Sequence, residues 1–203
     1  NEKSVDVIMD NMPSIFEDYP NCKFLIVGDG PSKKDLEEQA KKLNIADKVI
    51  FTGKVPWSDV PKYYNLGDVF VNASVTETQG LTFIEAMAAE VPIVAKYAPN
   101  LSEFIKTGKN GILVKKNTDF KDAIIKVLDD QKLRETLITG GNATAEEYSI
   151  EKFGDKLEML YSEIIKLHNA KKDAETKEEK NVHKKTIYKR IGEKLLNLTK
   201  IKK

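Results

Sequence analysis

Apolar positions along this chain alternate between two spacings. Short β-prone runs begin near Lys23, Val49, Val69, Pro92 and Gly111: Phe24-Leu25-Ile26-Val27, Val49-Ile50-Phe51, Val69-Phe70-Val71, Ile93-Val94 and Ile112-Leu113-Val114. Each is too short for a helix and too continuously apolar for a solvent-facing strand, so each reads as a buried strand. Between them apolar residues recur at helical spacing. Val5, Ile8, Met9, Met12, Ile15 and Phe16 precede the first strand, with Pro13 expected to bend that segment. Val60, Tyr63, Tyr64 and Leu66 mark a short helix before Asp68, and Leu81, Ile84 and Ala88 mark another that Pro92 ends. Ile125, Val127, Leu128, Leu133 and Leu137, then Phe153, Leu157, Leu160 and Ile164, mark the later helices. Strands alternating with helices predict a parallel sheet with right-handed crossovers.

Turn residues punctuate this pattern. Gly28-Asp29-Gly30-Pro31-Ser32 is a tight strand-to-helix turn. It is also part of a G-x-G-x-x-G, but position 33 is Lys, so the dinucleotide fingerprint fails. Ser32 or Asp35 can cap or charge the next helix, expected to end near Leu43-Asn44. Gly108 and Asn110-Gly111 turn the chain into the last strand.

Hydrophobic residues make up 40% and charged residues 32% of the 203, enough apolar material for one domain with a sizeable core plus a tail. No apolar run approaches the ~18–20 residues of a membrane span, and no secretory signal is visible. The single Cys22 excludes an intrachain disulfide and fits a reducing cytoplasm. Residue 1 is Asn, which suggests a piece of something longer. Charge changes the picture at the end of the chain. Residues 181–203 hold eight Lys/Arg against one acid, Glu193, or +7, which leaves −6 for residues 1–180 of the net +1. Asn169 to Lys180 is Lys/Glu-rich and reads as linker or solvated helix. Ile187, Ile191, Leu195, Leu198 and Ile201 then form one face of a basic amphipathic helix, suited either to an anionic membrane surface or to another protein domain. The expected division is residues 1–165 for the folded domain and 166–203 for the charged linker and basic helix.

The chemistry centres on Val69 to Val94. The loop Glu77-Thr78-Gln79-Gly80 leads into a helix beginning near Leu81. A helix N-terminus offers unpaired N–H groups and a positive dipole end, a good seat for phosphate, and Gly80 lets a ligand approach the backbone. Glu77 before the helix and Glu85 about a turn inside it are acceptors for sugar hydroxyls. Carboxylates flanking a phosphate-binding amide cluster suit a nucleotide-sugar. The competing reading is a solvent-facing Glu77 and a helix-surface Glu85.

The stretch E-T-Q-G-L-x-x-x-E-A-M-A-A, with Glu77 and Glu85 in E-x7-E spacing, a strand before it and Val-Pro-Ile-Val after it, resembles the motif of retaining glycosyltransferases of family 4. The resemblance covers residues 1–165 and implies an α/β fold: the Rossmann-like, doubly wound parallel sheet of the C-terminal domain of a GT-B glycosyltransferase, followed by a helical tail. It implies that Glu77 holds the hexose hydroxyls and Glu85 the ribose, as the two catalytic-site carboxylates. Donor-binding positions carried over with them are Lys3 on the diphosphate, Gly28 and Gly30 in the V-G-x-G-P-like turn, Val55 beside the nucleobase, and Thr78, Gln79, Gly80 and Leu81 at the helix start. Lys3 is equally readable as a bare surface lysine. No metal and no further cofactor are implied; the expected ligand is a nucleotide-diphosphate sugar, with a UDP-sugar first choice although no side chain reads the base. Nucleic acid is not an expected partner.

The same resemblance implies an acceptor domain, carrying the family's histidine, N-terminal to these residues; neither His168 nor His183 sits where that histidine would. The domain's first, central strand is expected to be missing, since the five strands here match the second to sixth. Ala95-Lys96-Tyr97-Ala98 replaces the family's glycine-rich turn, and Gln79 replaces its usual aromatic. The T-E-T-Q-G-L-T variant resembles bacterial enzymes that glucosylate diacylglycerol, which suggests a lipid acceptor and a cytoplasmic protein peripheral to the inner face of the membrane. The alternatives are a soluble transferase acting on polysaccharide or protein, and a non-catalytic nucleotide-sugar-binding module.

Overall fold

The structure, a computed structural model, describes residues 3–76 and 80–200, without the side chains of residues 173–182, 191, 192 and 194–200. It contains five parallel strands: β1 (Phe24–Ile26), β2 (Val49–Phe51), β3 (Phe70–Asn72), β4 (Ile93–Lys96) and β5 (Ile112–Val114). Helices α1 (Val5–Asp18), α2 (Lys33–Lys42), α3 (Val60–Tyr64), α4 (Leu81–Ala88), α5 (Leu101–Phe104), α6 (Phe120–Asp129) and α7 (Gln131–Glu147) intervene and follow. They belong to one compact unit, residues 1–149. All five strands fall where the apolar runs placed them, because β-branched and aromatic residues pack well on a pleated, covered surface.

Pairing divides the sheet. β1 pairs with β2, and β3 with β4 and β4 with β5, but among the described residues nothing bonds β1 to β3. Both halves nonetheless feed one core: Phe24 and Val49 pack in the same cluster as Val94 and Val114, under Ile8, Met12 and Ile15 of α1 and Phe120 and Ile124 of α6. The backbone shows which edges are left over. Phe24 donates to the Lys48 carbonyl (2.9 Å) and Ile26 accepts from Thr52 (3.1 Å), so the N–H and C=O of Leu25 point away from β2. Phe70 donates to the Pro92 carbonyl (2.9 Å), so Val71 points away from β4.

A second cluster surrounds α4, whose Phe83, Ala86 and Met87 are buried with Val91, Ile93, Leu101 and Ile105. α7 covers it closely: a Cβ on Gly141 would lie 3.3 Å from Met87 Cγ. Buried Asn110 locks this corner, accepting from the Lys106 amide (2.7 Å) and donating to the Phe104 carbonyl and Thr144 Oγ1 (both 2.8 Å).

Three local details refine the expectations. Ser32 stands at the N-cap of α2 but makes no side-chain cap bond; its carbonyl takes the Leu36 amide instead (3.0 Å). Asn169–Lys180, read as linker or solvated helix, belongs to helix α8 (Ile150–Lys200), which is rich in good helix formers and runs through residue 165. Residues 150–203 form a second unit by contact, and Phe153, Leu157, Leu160 and Ile164, expected in the later helices, are exposed on α8. Among the described residues no helix is long and apolar enough to cross a membrane.

Candidate donor site

In a parallel sheet the strands all point one way, and ligands bind beyond their carboxyl ends. Among the described candidates, Gly28 and Gly30 follow β1, Val55 follows β2 and Gly80 follows β3, so they lie beyond those ends. Gly28 follows β1 with φ +124°, a backbone shape that disfavours a side chain, and its amide donates to the Gly53 carbonyl (3.1 Å) after β2. This bridge sets the Gly28-Asp29-Gly30 turn beside Lys54 and half-buried Val55. Gly30 donates to its neighbour Asp29 Oδ1 (2.9 Å) and accepts from the Lys33 amide (3.2 Å). Phe16, in the last turn of α1, lies under the Lys48 ammonium (5.1 Å from the ring centre) where β2 begins. Lys3 is exposed just ahead of the first turn of α1.

The β3–α4 junction completes the set. After β3, Asn72 Oδ1 accepts from the Ser74 amide (2.7 Å), and the buried Ser74 hydroxyl accepts from the Thr76 amide (3.4 Å), so side chains hold the loop's start. Glu77, Thr78 and Gln79 lie outside the described residues. Gly80 is buried at φ +66° as the residue before α4. A Cβ there would sit 2.9 Å from Phe104 Cζ and 3.3 Å from Phe83 Cδ2, so packing as well as conformation requires glycine. The Phe83 and Ile84 amides turn inward onto the Gly80 carbonyl (2.9 and 3.3 Å), which leaves the Leu81 and Thr82 amides without acceptors among the described residues. The Leu81 side chain is 61% exposed, so only its backbone serves such a site. Half-buried Glu85 lies on α4 and accepts a hydrogen bond from the Tyr64 hydroxyl at its Oε2 (2.9 Å).

Two features escaped the sequence reading. Tyr64, read only as part of a short helix, packs on Phe70 (ring centres 5.7 Å apart), and its hydroxyl donates to Glu85. Burial and then the Glu85 carboxylate push its pKa well above the ordinary tyrosine range, so it remains a donor. The Lys33 ammonium stands 3.9 Å from where a Gly53 Cβ would be, a cation beside the turn that is visible in sequence only as the residue spoiling a fingerprint. Among the described residues no cluster of His, Cys, Asp and Glu could hold a metal.

A parallel α/β unit with glycine turns after its strands and a held carboxylate on the helix that follows β3 defines a Rossmann-like class of domain. The chain belongs to the glycosyl transferases group 1 family, whose model matches residues 1–144. It is 34% identical over 170 residues to the alpha-monoglucosyldiacylglycerol synthase of Acholeplasma laidlawii, covering 84% of this chain and 43% of that protein. It is 33% identical over 178 residues to the enzyme of the same name from Streptococcus pneumoniae, covering 85% and 38%. The chain thus spans less than half the length of these curated relatives. Among solved structures, the C-terminal domain of LpcC, a glycosyl transferase group 1 family protein from Francisella tularensis, is 27% identical with a TM-score of 0.66, covering 73% of this chain and 81% of that one. Anabaena HepE in complex with UDP and glucose shares the fold at 21% identity, with a TM-score of 0.69 over 80% of this chain and 45% of that one. The fold is therefore the Rossmann-like C-terminal domain of a GT-B glycosyltransferase.

Proposed function

We propose that residues 1–165 are the donor-binding part of a retaining glycosyltransferase that moves a hexose from a UDP-sugar to an acceptor. The observation that carries this is the β3–α4 junction, where the Leu81 and Thr82 amides, without acceptors among the described residues, and the Glu85 carboxylate lie within two turns of one helix. The amides of Leu81 and Thr82, with Lys3 as cation, would hold the diphosphate as negative charge builds on the leaving group. Glu85 would accept from the ribose and Glu77 from the hexose, with Thr78 and Gln79 contributing to the same loop. The Gly28–Gly30 turn and Val55 would line the base end through backbone. In this reading an acceptor domain lies outside residues 1–203, which the short span against the relatives supports.

The names of two relatives favour a diacylglycerol acceptor. We propose accordingly that the basic segment 181–203 meets an anionic membrane on its cytoplasmic face. Polysaccharide or protein acceptors remain the second reading, and a binding module without catalysis the third. Calorimetry on the full-length protein tests the site. Glu77→Ala and Glu85→Ala should each weaken UDP-glucose binding by about 1.5–3 kcal/mol, the worth of a lost charged hydrogen bond. Free UDP, which lacks the hexose, should feel Glu85→Ala more than Glu77→Ala. Equal losses for both ligands in both variants would overturn the division of roles.

A further inference from the structure

We infer that Tyr64 is the positioning residue for Glu85, fixing its carboxylate for the nucleotide's ribose diol. The inference rests on the proposed ribose role of Glu85 and adds a residue from a different helix. A glutamate in the second turn of an exposed helix normally samples several rotamers, which dilutes any one ligand-binding geometry. Here the Tyr64 hydroxyl donates to Oε2 at 2.9 Å, and the ring that carries it cannot wander. The ring is half-buried, tilted against Phe70 with centres 5.7 Å apart, and Phe70 in turn meets Phe83 of α4 edge-on at 5.8 Å. The aromatic chain continues to Phe104, which also packs where a Gly80 side chain would be. One packed series therefore sets the start of α4 and the hydroxyl that orients its carboxylate.

The hydrogen-bond inventory agrees with this role. A tyrosine hydroxyl has one proton to give. The Thr82 carbonyl stands 3.3 Å away, but the carboxylate is nearer and charged, so it takes the proton. A carboxylate has about four lone-pair sites, so a single bond from Tyr64 leaves capacity for two ribose hydroxyls. The raised pKa of Tyr64 keeps the hydroxyl a donor throughout the pH range of a neutral-pH enzyme. Tyr64→Phe would remove that bond and keep the ring, hence the packing.

The test is a binding matrix on the full-length protein. UDP and 2′,3′-dideoxy-UDP are titrated into the wild type, Tyr64→Phe, Glu85→Ala and the double variant, with melting temperature as a folding control. Tyr64→Phe is expected to weaken UDP about three- to tenfold, the scale of one hydrogen bond. It should leave dideoxy-UDP unchanged and add nothing in the Glu85→Ala background, since neighbours acting through one contact are non-additive. In turnover, KM for the donor should rise with kcat little changed. Equal weakening of both nucleotides, a loss that persists without Glu85, or unchanged UDP binding in Tyr64→Phe while Glu85→Ala weakens it would each overturn the inference. If Glu85→Ala leaves UDP binding intact, the ribose role of Glu85 fails, and the positioning role goes with it.

Discussion

At the scale of single residues, the site depends on positions whose neighbours in space are far apart in sequence. Gly80 shows this. Its place in E-T-Q-G-L made it legible as the glycine of a ligand-binding loop, but not as a buried residue at φ +66° against Phe104 and Phe83. Gly80→Ala should therefore destabilise the protein by about 1–3 kcal/mol, from the left-handed conformation and the crowding of Phe104 together. Urea denaturation of the full-length protein measures this; a loss below ~0.5 kcal/mol would mean that Phe104 yields freely. The place of Glu85 on α4 was legible, because Leu81, Ile84 and Ala88 set the helical period around it. Tyr64 was not, because nothing in V-P-K-Y-Y indicates that the second tyrosine reaches a carboxylate 21 positions later. Asp68 is similar: it reads as the residue before a strand, yet its carboxylate meets Arg134 of α7 at 2.9 Å. That pair is exposed and contributes at most about 1 kcal/mol.

At the scale of elements, strands and helices were legible because their periods and breakers agree, from Gly28 and Pro31 after β1 to Pro92 before β4. The end of the chain was read only in part. Helix α8 continues through the Lys/Glu-rich segment at 169–180, where charged residues of high helix propensity leave no apolar period to signal a helix. Beyond it, Lys184, Lys185, Lys189 and Arg190 lie on exposed positions of the same helix as exposed Ile187 and Tyr188. Such a segment should bind anionic vesicles, with each basic residue near the surface contributing about 1 kcal/mol. Co-sedimentation with vesicles of rising phosphatidylglycerol content should show binding that grows with anionic lipid, falls as salt is added, and is lost when residues 181–203 are removed. Binding that ignores salt, or survives the truncation, would point to a protein partner for this helix.

At the scale of the whole molecule, the apolar runs carried the five strands, and the family order implied by the resemblance, with its first strand missing, carried the break between β1 and β3 that the pairing shows among the described residues. The parallel order β3-β4-β5 follows from short right-handed crossovers, and β1-β2 likewise. Between the two halves lie the unbonded edges of β1 and β3, with the amides and carbonyls of Leu25 and Val71 turned away from their partners. In a doubly wound sheet of order 3-2-1-4-5-6, a central strand stands between the strands corresponding to β1 and β3. We propose that a parallel strand supplied from outside the described residues fits there. Inserting it would turn neighbours one strand apart, about 9–10 Å, into a continuous ladder of ~4.8 Å steps. Leaving it out leaves the amides and carbonyls of half-buried Leu25 and Val71 without a ladder partner beside a shared core that includes Phe24 and Val94, and each such group shut off from water costs about 1–3 kcal/mol. Domains are stable by only about 5–15 kcal/mol, so two or three such groups consume much of the margin. Residues 1–203 expressed alone should therefore show helical circular dichroism without a cooperative thermal transition, and the Leu25 and Val71 amides should exchange with solvent quickly. In a longer protein that supplies the strand, the same two amides should be among the slowest, because central strands open only with global unfolding. A sharp, reversible transition for residues 1–203, or protection of both amides in that fragment, would show that the divided sheet is complete as it stands.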